Sequence, residues 1–297
     1  MFIAIEGTDA SGKSSLCVEI AKQMSTHTTY HKGKPERETR DWALNEYVFS
    51  VNDLDFFEVD AVADRWHWGE VTYAPLKRPH TCIDDYGLLG VAGWRWVEMY
   101  MAAKGMCQFV LHQPLEVVTQ RLKMRGDDYV LASELAQILS LYDKAAKSTH
   151  TLCGRLSPSS HSLDAVSNLA AKVITRAREA IAATAHLQPY STYIGAAEPQ
   201  YLIVSSSSDS HLPLVPSAHS ANDAYIASIP EEMWRSIGIV NVHSMTATQF
   251  SNMMYALKSP RIVLHNDALE ELPALLYVPT SVIVSADVML DTEKNRR

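Results

Sequence analysis

Eight residues, Gly7-Thr8-Asp9-Ala10-Ser11-Gly12-Lys13-Ser14, satisfy the pattern G-x-x-x-x-G-K-S/T. They follow a short apolar run, Phe2 to Glu6, and lead into Lys13 to Met24, where Leu16, Ile20, Ala21 and Met24 recur at helical spacing. The segment therefore reads as strand, tight loop and helix, the context in which this pattern cradles phosphate. Gly7 and Gly12 let the backbone turn its N–H groups inward, and the following helix presents its positive end to the same anion. Lys13 is placed to neutralise the β- and γ-phosphates, and the Ser14 hydroxyl to ligate Mg2+. The expectation is a bound nucleoside triphosphate, ATP with Mg2+, held by Gly7, Thr8, Asp9, Ala10, Ser11, Gly12, Lys13, Ser14 and Ser15.

Composition narrows the remaining classes. The 297 residues carry 26 Lys+Arg against 34 Asp+Glu, a net charge of −8, with 47% hydrophobic, 20% charged and 8% aromatic residues. These are globular proportions. Binding to long nucleic acid normally requires a basic face, and no Lys/Arg run occurs before the last few residues, so polymeric nucleic acid is disfavoured without being excluded. Small phosphorylated ligands need only a local basic pocket. Cys17, Cys82, Cys107 and Cys153 are scattered without a Cys-x-x-Cys pair and read as reduced thiols. With neither a signal-like N-terminus nor an apolar stretch of membrane length, no membrane partner is expected, and the cytoplasm is the expected location.

Further apolar runs at Val59–Ala63 and Gln108–His112 suit buried strands of a parallel sheet. Helices are expected over Trp94–Lys104, Leu115–Met124, Ala132–Lys147 and Leu163–Ala185, the last with Ser162 as N-cap. The pattern lapses between Gln188 and Gln200. A second series of strand-like runs then begins, at Tyr201–Val204, Ile237–Val242, Arg261–His265 and Ser281–Val284, alternating with helical candidates at Thr248–Leu257 and Asp267–Leu272. The expected fold is thus α/β, a three-layer P-loop kinase fold with a parallel sheet over residues 1–187, then a smaller α/β domain over 200–297. Ser205–Ser208, just after a strand, reads as a ligand-facing turn or as an exposed polar loop.

From Phe2 to Ser15 the chain resembles the opening of thymidylate kinases, and the resemblance extends over residues 1–187 through three more segments. In that family the acidic residue of the loop, here Asp9, faces the acceptor nucleotide and helps orient the metal beside Ser14. Asp64-Arg65-Trp66-His67-Trp68-Gly69-Glu70-Val71-Thr72-Tyr73 looks like the Asp-Arg motif, whose arginine holds the acceptor phosphate in line for attack. A planar guanidinium suits that task because it bridges two phosphate oxygens. The carboxyl end of a strand, where open α/β sheets bind ligands, favours this over a surface ion pair. By the same resemblance Tyr73 crowds the sugar 2′-carbon and so selects deoxyribose. Glu70 stands at the pyrimidine edge, where relatives carry an amide or hydroxyl; an ionised carboxylate there accepts from thymine N3–H or from an exocyclic amine.

Arg121-Leu122-Lys123-Met124-Arg125-Gly126-Asp127-Asp128-Tyr129 resembles a shortened kinase lid whose arginines close over the transferred group and exclude water, the alternative being a solvated helix face. Ala10 replaces an arginine that some members carry in the loop, which leaves that charge to Arg121 and Arg125. His31-Lys32-Gly33-Lys34-Pro35 is similar to an acceptor-site run of bacteriophage-encoded kinases. The family's Leu-Phe-x-x-x-Arg segment has no clear copy. Phe49 is the nearest stacking ring, and a core role suits it equally.

Residues 200–297 bear only a faint likeness to the uracil-DNA-glycosylase-like fold, with Asp209 and Asn241 the first candidates for a base pocket. The expected activity is ATP-dependent phosphoryl transfer to a deoxynucleoside monophosphate, dTMP first. The alternatives are a kinase of a hydroxymethyl-type pyrimidine, as nucleotide or in DNA, and a non-catalytic nucleotide-binding module. Small nucleotides are the expected partners, and a homodimer is left open.

Overall fold

The computed structural model describes residues 1–26, 29–31, 38–39, 42–43, 46–47, 60–103, 105–126, 129–149, 152–158, 162–184, 193–195, 200–205, 236–241, 249, 252–253, 256–257, 261–264 and 283–285. The chain divides into two compact units, Met1–Ala182 and Ala183–Arg297.

The first unit is built on five strands: β1 (Phe2–Glu6), β2 (Thr29–His31), β3 (Ala61–Asp64), β4 (Cys107–Leu111) and β5 (Leu152–Leu156). Its helices are α1 (Lys13–Gln23), α2 (Trp68–Thr72), α3 (Ala74–Lys77), α4 (Gly90–Ala103), α5 (Leu115–Arg125), α6 (Leu135–Ser148) and α7 (Leu163–Thr184). The sheet runs β2-β3-β1-β4-β5, and each adjacent pair is parallel. β1, β3 and β4 are buried along their whole length, as strands covered on both faces must be.

Alternation along β1 separates the two layers of cover. Ile3 and Ile5 join Phe109 and Leu111 in a core shared with Leu16 and Ile20 of α1 and with Ala170, Val173, Ile174 and Ala177 of α7. On the opposite face Phe2 meets Trp66 edge-on at 4.9 Å, and Gln108 reaches toward Glu98 of α4. Helices on both faces of a parallel sheet make the three-layer α/β P-loop kinase fold.

Register decides what meets at the carboxyl edge. Ile5 pairs with Asp64 and Glu6 with Val110, so the loop after β1, the Asp64-Arg65 pair and the segment after β4 emerge side by side. His31 of β2 pairs with Asp64 from the other side.

Several details differ from the sequence expectation. β3 lies later than Val59–Ala63 and takes in Asp64. Ala132–Glu134 forms a 3-10 turn before α6 begins. β5 had no signal, because Gly154 and Arg155 interrupt its apolar pattern; a Cβ at Gly154 would sit 2.9 Å from Arg176 Nη1 and 3.6 Å from the Phe109 ring. Ser162 does cap α7, its Oγ accepting from the Ala165 N–H at 3.2 Å. Cys17, Cys82 and Cys107 are free thiols.

The second unit has its own five-stranded sheet, ordered β10-β9-β7-β8-β6. Its strands are β6 (Tyr193–Gly195), β7 (Tyr201–Ser205), β8 (Ile237–Asn241), β9 (Arg261–Leu264) and β10 (Ile283–Ser285). β7 through β10 pair in parallel, and β6 runs antiparallel along β8. β7 is thus flanked in parallel by β8 on one side and β9 on the other. β6 falls within the stretch read as a boundary; three residues are too short a run to register as a strand. The helical candidate Asp267–Leu272, Asp209 and His265 lie outside the described residues, as does the side chain of Asn241. Among the described residues no helix is long and apolar enough to cross a membrane.

Phe109 is fully buried at the centre of the first core. Phe109→Ala is expected to cost about 3–5 kcal/mol, read as a lower urea midpoint for the first unit's transition; a loss under about 1 kcal/mol would contradict this packing.

Candidate active site

The loop after β1 has the backbone of a phosphate cradle. Gly7 has φ 143°, and a Cβ there would lie 2.6 Å from the Leu111 carbonyl oxygen. Ala10 is left-handed at φ 59°, and Gly12, at φ 100°, opens α1 without a side-chain cap. The first-turn N–H groups of α1 thus have no side-chain acceptor supplied by the cap residue and face the loop, as anion sites at helix N-termini do.

Lys13 curls back and donates from Nζ to the Thr8 carbonyl at 2.6 Å. Burial, seconded by the nearby Arg65 charge, pulls its ammonium down to about 8, although Asp64, Asp9 and Glu6 oppose the shift. Gln113 Nε2 donates to the Ser11 carbonyl at 3.5 Å and Arg121 Nη1 to the Ala10 carbonyl at 3.4 Å. The buried Ser11 hydroxyl has no protein partner.

The end of β3 supplies the facing wall. Ser14 Oγ donates to Asp64 Oδ2, His31 Nδ1 stands 3.7 Å from the same oxygen, and the buried Asp64 Oδ1 has no partner. Arg65 is left-handed at φ 71°, with its N–H on the Ile5 carbonyl at 3.1 Å. Its guanidinium pairs with Asp9 Oδ1 and lies 4.8 Å from the centre of the Tyr73 ring. Tyr73 in turn donates its hydroxyl to Asp9 Oδ2 at 2.8 Å. Burial works to raise the Asp9 carboxyl, but the Arg65 and Lys13 charges and the Tyr73 hydrogen bond outweigh it, and the group ends below the usual range. Glu6, fully buried beneath this wall, accepts from the Trp66 N–H at 2.8 Å and is pushed up to about 7 by burial.

Thus Asp9, Lys13, Ser14, Asp64, Arg65 and Tyr73 come together at one sheet edge, with Arg121 reaching the loop from α5. Other expected residues stand differently. Arg125 is exposed at the end of α5, one turn beyond Arg121, and Ser15 is exposed on α1. The resemblance sets Asp9 beside Ser14 at the metal, yet its two oxygens are engaged by Arg65 and Tyr73; the carboxylate beside Ser14 is Asp64. Glu70 does not offer a free edge to a base. Its carboxylate accepts from Arg78 Nη2 at 3.1 Å, the Leu88 N–H at 3.1 Å and the Tyr47 hydroxyl at 3.5 Å, tying α2 to the Asp84–Gly87 turn. Phe49 lies outside the described residues.

The sequence gives no role to Gln113, and it places Tyr142 only on the helix after the lid segment. Gln113 follows β4 by two residues, a position from which a parallel strand delivers polar groups to the ligand edge, and that signal was available. Tyr142, which meets Tyr73 edge-on at 6.3 Å, is hidden inside the apolar periodicity of α6. Among the described residues no group of three or more His, Cys, Asp or Glu side chains could hold a metal by itself. Ser14 and the unpartnered Asp64 oxygen form a hard-oxygen pair that fits Mg2+ carried on phosphates.

No family model matches the chain. It is 25% identical over 140 residues to the SPbeta prophage-derived uncharacterized protein YorR of Bacillus subtilis, a likeness spanning 47% of this chain and 78% of that one. The crystal structure of YorR in complex with phosphorylated GDP aligns with 60% of this chain and 98% of its own, at 19% identity and TM-score 0.49. Deoxyadenosine kinase from M. mycoides with bound dATP aligns with 59% of this chain and 100% of its own, at 14% identity and TM-score 0.42. Thymidylate kinase from Candida albicans aligns with 60% and 92%, at 14% identity and TM-score 0.39. Two of these three solved structures are by name kinases of nucleosides or nucleotides.

Proposed function

We propose that the first unit, Met1–Ala182, is a kinase that moves the γ-phosphoryl group of ATP to a deoxynucleoside monophosphate, dTMP first among them. The observation that carries this reading is the convergence at one sheet edge of Lys13 and the N-terminus of α1 with the Arg65–Asp9–Tyr73 cluster. The first pair suits a triphosphate donor. The second offers a guanidinium for an acceptor phosphate, with a carboxylate and a phenol beside it.

Phosphoryl transfer asks for alignment and charge neutralisation more than for covalent chemistry by the protein. The loop N–H groups and Lys13 hold the β- and γ-phosphates, and Arg65 directs a phosphate oxygen of the acceptor at the γ-phosphorus. The bond from that phosphorus to the β-bridging oxygen breaks, leaving ADP. Arg121, and Arg125 on closure, screen the transferring group. Ser14 and Asp64 would hold Mg2+, which neutralises phosphate charge when bound. Tyr73, held by Asp9, crowds the sugar 2′ side. A cytoplasmic place of action, among free nucleotides, suits this chemistry.

A second reading concerns the base. Because Glu70 is engaged by Arg78, Leu88 and Tyr47, the pyrimidine edge is not specified by that residue, and a hydroxymethylated pyrimidine as acceptor is supported equally.

A screen of ATP against all common ribo- and deoxyribonucleoside monophosphates and hydroxymethylated pyrimidines tests both readings; ATP binding with no transfer to any acceptor would leave only a nucleotide-binding module. Lys13→Ala is expected to lower kcat about 100-fold or more, and retained turnover would remove the reading. Tyr73→Ala is expected to narrow the preference for deoxyribose, so equal rates on ribose and deoxyribose acceptors in the wild type would sink that role. Phosphate needs the charged ammonium, and burial holds Lys13 at about 8 before the nucleotide arrives. Charged Lys13 is lost as pH rises through that value, so ATP affinity should weaken above it, by up to about tenfold per unit, in calorimetric titrations. A flat profile between pH 7 and about 10 would contradict the argument.

A further inference from the structure

We infer that Glu98, on α4, is a positioning residue for Arg65: it sets the turn that presents the guanidinium without touching a substrate. The inference rests on the kinase reading of Arg65 above.

Arg65 adopts a left-handed backbone at φ 71°, which costs energy for a residue with a Cβ and persists only where its surroundings enforce it. The residues that follow supply the enforcement. The Trp66 N–H is fixed by Glu6 Oε1 at 2.8 Å. The next two side chains both turn to one carboxylate, His67 donating from Nε2 to Glu98 Oε1 at 2.6 Å and Trp68 from Nε1 to the same oxygen at 3.2 Å. Glu98 is itself held, since Thr149 Oγ1 donates to Oε2 and Gln108 Nε2 to Oε1 at 3.4 Å. One carboxylate thus links the turn after β3 to α4, to β4 and to the residue after α6.

Glu98 and His67 have no solvent exposure. An interior that needed only packing would be served as well or better by apolar side chains, because burying a carboxylate carries a desolvation cost that its partners must offset. What an apolar set could not do is specify the direction of two successive side chains right after Arg65. A misplacement of about 1 Å at a positioning group costs up to about 100-fold in rate.

The test compares the full-length wild type with Glu98→Leu, Glu98→Gln and Arg65→Ala, alone and with Glu98→Leu combined with Arg65→Ala. The probe is dTMP, or the monophosphate that the wild type phosphorylates fastest. In Glu98→Leu the acceptor KM should rise about tenfold while the ATP KM stays within about twofold. Glu98→Gln keeps a carbonyl acceptor for His67 and Trp68 and should stay within about threefold of wild type. Acceptor affinity measured by calorimetry should fall in Glu98→Leu but change less than about twofold further once Arg65 is alanine. If Glu98→Leu does not accumulate as folded protein, His67→Phe, which keeps the ring and removes the donor, replaces it.

Equal rises in both KM values, a fall in kcat with both KM values unchanged, or an undiminished effect in the Arg65→Ala background would each overturn the inference. Absence of transfer by the wild type to any monophosphate would instead overturn the kinase reading on which it rests.

Discussion

The parallel pairing of β1 with β3 on one side and β4 on the other is the constraint on which the rest of the first unit depends. Its register sets Ile5 against Asp64 and Glu6 against Val110, so three chain segments leave the sheet at one height. A one-residue slip would turn every side chain of β1 to the other face, sending Ile3 and Ile5 away from α1 and α7. The buried faces of the central strand therefore fix the position of the loop after β1 relative to Arg65.

A second theme is the mutual support of charges that could not be buried singly. Asp9, Lys13, Asp64, Arg65 and Glu6 lie within one small region, each costly to desolvate alone. Arg65 pairs with Asp9, Lys13 finds the Thr8 carbonyl, and Asp64 takes the Ser14 hydroxyl. Glu6 accepts the Trp66 N–H, yet burial outweighs that help, and its carboxyl is the one pushed up toward neutrality. The cations that would face a triphosphate thus already have internal acceptors, which a ligand's oxygens must replace.

Legibility from sequence followed the range of the interaction. The phosphate loop was readable because its function needs consecutive residues with particular backbone freedom: Gly7 lies against the Leu111 carbonyl and Gly12 opens a helix, and both demands are local. Central strands and amphipathic helices were readable for the same reason. β5 was not, since Gly154 is there to clear Phe109 and Arg176, neighbours that adjoin it only in the folded chain. The internal partners of Glu70 are not legible either, because Arg78, Leu88 and Tyr47 converge on it from segments whose meeting no spacing rule describes.

By itself, then, the sequence determined that a strand, a glycine-bounded phosphate loop and a helix open the chain, that a parallel α/β sheet follows, and that a second series of strands comes after. Those conclusions rest on periodicity and on backbone requirements that each residue carries with it. Only the tertiary structure decided that Asp64, not Asp9, stands beside Ser14, that Tyr73 and Arg65 share the Asp9 carboxylate, and that Glu98 lies behind the Arg65 turn. The physical reason is that hydrogen-bond partners at sequence separations of 30 to 64 residues are chosen by strand register and helix packing, which no local pattern encodes.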